Sequence, residues 1–156
     1  MSELREPLLP AQRARVGMWI RLARCYNLAM RELAGGMRDE CTMPQFDVLA
    51  QLARSEDGLT FSALSERLLV TAGNLTGIVD RLEKRDLVRR ETNPRDRRQI
   101  FVRLTPQGKL YCAKVIPEHE QKIVALFAGM AENDVQNLRA DLDKIATLFE
   151  KAAGRP

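Results

Sequence analysis

Much of what would mark an enzyme or a secreted protein is missing from this 156-residue sequence. It has one histidine, His119, and three well-separated cysteines, Cys25, Cys41 and Cys112. None of them falls in a CxxC or Cys/His spacing, so neither a zinc site nor a disulfide framework is expected, and a reducing cytoplasm fits. There is no nucleophile–histidine–acid set and no glycine-rich phosphate loop, so no enzymatic activity and no cofactor is expected. Aromatic residues make up only 5%, too few for a platform that stacks single-stranded bases. No apolar run is long enough to span a bilayer. The first residues, MSELREPLLPAQRAR, lack a hydrophobic signal core, which argues against secretion. No internal repeat or low-complexity stretch is present.

What remains is ordinary in bulk and specific in pattern. Hydrophobic residues at 45% and charged residues at 29% suit one compact domain or two small intertwined ones. A net charge of +4 favours an acidic partner without naming it. After a loose arm at residues 1–10, Val16, Trp19, Ala23, Tyr26, Met30, Leu33 and Met37 recur at threes and fours. That spacing predicts one amphipathic helix over about 11–37, weakened at its end by Gly35 and Gly36. Thr42, Pro44 and Gln45 predict the start of a second helix, whose apolar face is Phe46, Leu49, Ala50 and Ala53. Ser55–Gly58 should end it, and Leu59 suits a single short strand pairing.

The stretch from Phe61 to Thr105 carries the strongest signals. Thr60 or Ser62 can cap a short helix bearing Leu64 and Leu68. After a turn around residues 69–71, Thr71 can cap another, with Leu75, Ile78, Val79 and Leu82 as one apolar stripe. Two short helices joined by such a turn form a helix-turn-helix. Residues 87–92 and 99–105 then read as strands around the turn Asn93-Pro94-Arg95-Asp96. From Arg89 to Arg103 there are six arginines against Glu91 and Asp96, so the chain's positive excess sits in this hairpin. Pro106 should start a long helix to about Gly129, kinked at Pro117. A last helix over about 132–152 presents Val135, Leu138, Leu142, Ile145 and Phe149 as a narrow seam suited to pairing with another helix.

This pattern predicts a double-stranded DNA partner. A helix fits the major groove and reads base edges near its N-terminus. The apolar stripe leaves Thr71, Ala72, Gly73, Asn74, Thr76, Gly77 and Arg81 to face the groove. The small residues allow close approach. Asn74 can pair with adenine, Thr76 with a base edge or thymine methyl, and Arg81 with a base or phosphate. Arginines at the hairpin tip suit a narrow minor groove. Asp96 cannot touch DNA favourably and should orient Arg97 or Arg98.

At these residues a resemblance becomes visible. The hairpin run DRRQIFVRLTPQG (96–108), the segment LLVTAGNLTGIVDRLEKRDLV (68–88) and TMPQFDVLAQL (42–52) resemble the MarR family of bacterial transcription regulators. The resemblance covers about residues 11–152. It implies a mainly α fold with a small β-hairpin wing (α+β), a winged helix-turn-helix whose two termini build a helical dimerisation region. Residues 1–38 and 106–156 would form that region, and 39–105 the DNA-binding lobe. It also implies a homodimer on a pseudo-palindromic operator, a repressor released by a small, aromatic or phenolic effector. By analogy Arg97 and Arg98 would be the wing arginines and Asp96 their orienting partner; Arg95, at the basic tip of the hairpin, is a further DNA-binding candidate. One departure is Asp86, where the family commonly has glycine after the recognition helix; a small cost in stability is expected there.

The sensing apparatus is less legible. Trp19, Tyr26, Phe46 and Leu49 can line an apolar pocket, or serve as core or dimer-interface residues. Asp47 can face that cleft, or be a surface carboxylate. Cys41, at a helix start, is the best-placed candidate for a redox-sensing thiol, whereas Cys25 and Cys112 read as core. His119, between Glu118 and Glu120, reads as a surface position, and no metal is expected. A protein-interaction adaptor that does not bind DNA, or a thiol-based regulator, stands as the alternative function.

Overall fold

The computed structural model describes residues 8–35, 41–93 and 96–154. The elements run α1 (Pro10–Ala34), α2 (Met43–Ala53), β1 (Leu59–Thr60), α3 (Phe61–Leu68), α4 (Ala72–Lys84), β2 (Val88–Asn93), β3 (Asp96–Leu104), α5 (Pro106–Leu126) and α6 (Glu132–Ala152). The predicted mainly α architecture with a small β wing is the observed one. Residues Met1–Glu120 form one compact unit and Gln121–Pro156 a second.

Helix starts follow local capping chemistry. At α2 the Thr42 N–H donates to Gln45 Oε1 at 3.1 Å. At α3 Thr60 Oγ1 accepts from Ala63 N–H at 3.1 Å, and at α4 Thr71 Oγ1 accepts from Asn74 N–H at 3.3 Å. Each satisfies a donor that the first helical turn leaves without a partner. α1 ends at Ala34, where Gly35 follows; Met37 lies outside the described residues.

The sheet is antiparallel, in the order β1-β3-β2. Leu59 pairs with Val102, as the single short strand predicted. The hairpin is longer than the alternation suggested, because pairing continues to Asn93↔Asp96 through an irregularity after Thr92. Gly58 makes the bend before β1. Its φ is +73°, and an added Cβ would lie 2.5 Å from Val102 O, so both conformation and space demand glycine.

The core lies among α2, α3, α4, the sheet and the first half of α5. Val48, Leu49, Leu64, Leu75, Val79, Leu82 and Val102 are fully buried there. The predicted stripe of α4, Leu75-Ile78-Val79-Leu82, is its buried face. α5 adds Cys112 and Val115 and contains Pro117 within its helix. The last helix has the predicted bounds, and none of its residues is buried. No helix among the described residues is long and apolar enough to cross a membrane.

Candidate nucleic-acid interface

α3, a tight corner and α4 set the geometry. Leu69 turns the chain in the left-handed region (φ 53°). The corner is held by Val70 N–H to Ser65 O at 3.1 Å and Ser65 Oγ–H to Val70 O at 2.6 Å. Thr71 then caps α4, so Ala72, Gly73, Asn74 and Thr76 are all exposed on one face and Gly77 is half-exposed, with Arg81 exposed a turn later. The Thr76 hydroxyl donates to Ala72 O at 2.9 Å. A Cβ built on Gly73 or Gly77 would meet nothing within 4 Å. Packing within the chain therefore does not ask for glycine at either position, although each costs the helix roughly 1 kcal/mol relative to alanine.

The exit from α4 is a Schellman turn. Asp86 N–H donates to Glu83 O at 2.9 Å and Leu87 N–H to Leu82 O at 3.0 Å. Asp86 itself has φ 54°, the left-handed conformation for which the resemblance led us to expect glycine. Its carbonyl is held by Thr105 Oγ1–H at 2.5 Å, and the same Oγ1 accepts from Gly108 N–H at 2.9 Å. One threonine thus ties the exit of α4 to the start of α5.

The wing arginines do not share one role. On β2, Arg90 turns toward α4: Nη2 lies 2.7 Å from Asp80 Oδ1, and Nη1 pairs with Glu83 Oε2. The Arg90 N–H also donates to Glu83 Oε1 at 2.9 Å, and the guanidinium sits over the Phe61 ring at 5.7 Å. Arg90 therefore braces α4 and α3 against the hairpin, with its guanidinium held by two carboxylates of α4. Sequence reasoning missed this, since Arg90 looked like one basic residue among six. On the opposite face of the strand Glu91 is gripped twice, by Arg89 Nε at 2.7 Å and Arg103 Nε at 2.8 Å.

At the tip Asp96 Oδ1 accepts from both the N–H (3.1 Å) and Nε (3.2 Å) of Arg98, whose side chain is 92% exposed. Of the two arginines expected as its partner, Arg98 makes this contact. Arg97 is placed on β3 by its backbone, and Arg95 lies outside the described residues.

The sensing candidates divide between the core and the surface. Phe46 and Leu49 lie in the lobe core, the core reading weighed for them, while Trp19 and Tyr26 are exposed on α1. Asp47 is exposed; its local surroundings push its pKa up through desolvation, opposed by His119. His119, expected at the surface, is buried with its ring 4.3 Å from that of Phe46, because this turn of α5 packs onto α2.

Two of the three thiols are also reversed, while Cys112 is buried as expected. Cys41 is buried and Cys25 exposed. Burial pushes the Cys41 pKa up, outweighing Arg85 and Tyr111, and burial together with Cys41 raises Cys112 to about 11. A sensor thiol needs exposure and a low pKa, whereas Cys41, expected to be the accessible one, packs in the core. Among the described residues no group of three or more His, Cys, Asp or Glu could hold a metal.

Comparison with known proteins agrees with this architecture. The MarR family profile matches residues 41–99, which contain the helix-turn-helix and most of the wing. TtmR of Methylorubrum extorquens, an HTH-type transcriptional regulator, is 30% identical over 133 residues, 85% of this chain and 64% of TtmR. YkoM of Bacillus subtilis, an uncharacterized HTH-type transcriptional regulator, is 33% identical over 81 residues, 52% of this chain. That match spans 53% of YkoM, about half the length of the relative. The crystal structure of AbsC, a MarR family regulator from Streptomyces coelicolor, superposes with a TM-score of 0.82 at 26% identity, covering 94% of this chain and 99% of AbsC. Over residues 41–99 the chain carries the sequence pattern of the MarR family, and along nearly its whole length it has the fold of the MarR family transcription regulator AbsC.

Proposed function

We propose that this protein is a sequence-specific, double-stranded-DNA-binding repressor that acts as a homodimer and is released from its operator by a small effector. The observation that carries the DNA reading is the bare face of α4. Two glycines that nothing in the chain requires stand beside Asn74, Thr76 and Arg81, where a major groove would meet the helix. The exposed Arg98, oriented by Asp96, supplies charge at the tip of the wing. The S. aureus MepR–DNA complex has the same fold, with a TM-score of 0.75 at 18% identity.

The dimer reading rests on apolar faces that one chain leaves uncovered. Val16, Trp19, Ile20 and Tyr26 on α1 are exposed, and so are Val135, Leu138, Leu142 and Phe149 on α6. Stripes of this kind mark contact surfaces. Two lobes paired by symmetry would read two half-sites about one helical turn apart. The effector reading is supported by a fold neighbour described as bound to p-coumaroyl-CoA, CouR from Rhodococcus jostii.

The test is selection from a random duplex pool, followed by anisotropy titrations across salt. An enriched inverted repeat is expected, with affinity falling steeply with salt as counterions are released. Arg98→Ala should weaken all duplexes and lower the salt slope by about one for each phosphate no longer neutralised. Gly73→Ala and Gly77→Ala should each stabilise the free protein by about 0.5–1 kcal/mol yet weaken operator binding. A pool that returns no enriched sequence at low salt would favour the adaptor instead.

A further inference from the structure

Thr105 stands between the exit of α4 and the first turn of α5, and every polar group it has is committed there. The residue is buried. Toward α4, its N–H donates to Leu87 O at 3.1 Å and its Oγ1–H to Asp86 O at 2.5 Å. Toward α5, its Oγ1 accepts from Gly108 N–H at 2.9 Å and its carbonyl from Lys109 N–H at 2.9 Å. One hydroxyl therefore caps α5 and holds the carbonyl of Asp86, the left-handed residue just past α4. Hydrogen bonds in series polarise one another, so the two helix ends are tied more firmly than either bond alone would tie them. Packing around the hydroxyl is close. A Cβ at Gly108 would collide with the Leu87 carbonyl oxygen, and the Arg85 guanidinium lies over the Tyr111 ring of α5 at 5.2 Å.

We propose that Thr105 is a positioning residue for base reading. Its hydroxyl fixes the direction of α4 relative to α5, and through α4 the aim of Asn74, Thr76 and Arg81. The other holds on α4 do a different job. Arg90 fixes it to the hairpin through Asp80 and Glu83, and Leu75, Val79 and Leu82 fix it to the lobe core. A small turn of α4 takes directional base contacts out of reach, whereas the attraction of arginines to phosphates carries no sequence information. Loss of the hydroxyl therefore costs sequence choice and spares non-specific affinity. That consequence rests on the DNA-binding reading above; the geometry of the joint does not.

Two variants of the full chain test it. Thr105→Val keeps the shape of the side chain and removes both hydroxyl bonds; Thr105→Ser keeps the hydroxyl. In anisotropy titrations Thr105→Val should bind the selected operator at least about tenfold more weakly, the worth of one base contact. Its affinity for a scrambled duplex and its salt slope should stay as in the parent, and Thr105→Ser should bind operator within about threefold of the parent. Equal losses on both duplexes overturn the proposal. So does undiminished operator binding by Thr105→Val, or a loss in Thr105→Ser as large as in Thr105→Val. Residual dipolar couplings of the α4 and α5 amides read the joint without DNA. The angle between the two helices should shift or spread in Thr105→Val and return in Thr105→Ser; one angle in all three chains overturns the proposal. If Thr105→Val does not fold, hydrogen exchange on the parent decides. Operator should slow the Thr105 and Gly108 amides, because an opening that weakens DNA binding is in turn suppressed by DNA; rates that operator leaves untouched overturn the proposal. A parent protein that binds no duplex at all overturns the proposed function, while the dipolar couplings still decide whether Thr105 holds α4.

Discussion

The winged lobe and the terminal helices solve the problem of apolar surface in opposite ways. In the lobe, Val48, Leu64, Leu75, Val79, Leu82 and Val102 reach complete burial within a single chain. α6 buries none of its residues, and α1 buries only Leu33. A side chain such as Leu gains about 1.5–3 kcal/mol on full burial, so the lobe collects in one chain what the helix faces leave uncollected. The lobe is therefore built to hold a shape, and the helices to meet something. Substitutions on the two sides should behave differently, and that difference can be measured.

The largest effect is expected at Gly108, where the lobe closes on itself. An alanine Cβ there would collide with the Leu87 carbonyl oxygen, so backbone must move. Gly108→Ala should cost about 2–4 kcal/mol, read as a lower denaturant midpoint. A cost under about 0.5 kcal/mol would mean that the α4–β2–α5 junction is slack and the contrast overstated. Next comes Arg90→Met, which keeps the aliphatic stem but removes the pairs to Asp80 and Glu83. Asp80 is 48% exposed, so solvent discounts the loss to about 1–3 kcal/mol. Operator affinity should fall as well, because α4 loses its brace. Unchanged stability and affinity would remove Arg90 from the positioning machinery.

The fold was legible where its determinants are local. Thr60 and Thr71 cap helices three residues ahead of the donors they satisfy, and Asp86 follows α4 in the position that needs a left-handed residue. The apolar stripe of α4 and both bounds of α6 could be read from spacing alone. What could not be read depends on distant partners. Arg90 pairs with residues seven and ten positions earlier on another element, and nothing in the run of arginines separates it from Arg98. His119 and Cys41 sit among polar neighbours in sequence and are buried only because α5 packs onto the lobe.

Smaller effects probe the two left-handed corners of the helix-turn-helix. Leu69 and Asp86 both have φ near 53–54°. An L-residue there costs roughly 1–2 kcal/mol, less for Asp, which can bond locally. Leu69→Gly should stabilise by about 1 kcal/mol and Asp86→Gly by about 0.5 kcal/mol, after the entropy that glycine adds to the unfolded chain. A larger gain at Asp86 than at Leu69 would reverse the ranking. Asp47, at the rim of the lobe, gives a pH signature. Its folded-state pKa lies above the ordinary 3.8, so the folded state holds the proton more tightly than the unfolded one. Stability from this group is complete at low pH and lost as the pH rises through the folded value. Asp47→Asn should therefore raise the melting temperature at pH 7, with the gain vanishing below 3.8; a constant gain across pH would assign it to packing.

The smallest effect within one chain is expected on α6, and it sharpens the contrast most. Leu142 is already 40% exposed, so Leu142→Glu removes little burial and should cost the single chain less than about 0.5 kcal/mol. If the stripe pairs with a second copy, the charge is forced into an apolar interface, where it is expensive. Sedimentation should then show the parent as a dimer and the variant shifted toward monomer at the same concentration, while the circular dichroism of the monomer stays helical. A variant that remains as tight a dimer as the parent would show that α6 is not the pairing face. The uncovered apolar surface of α1 would then have to carry association without it.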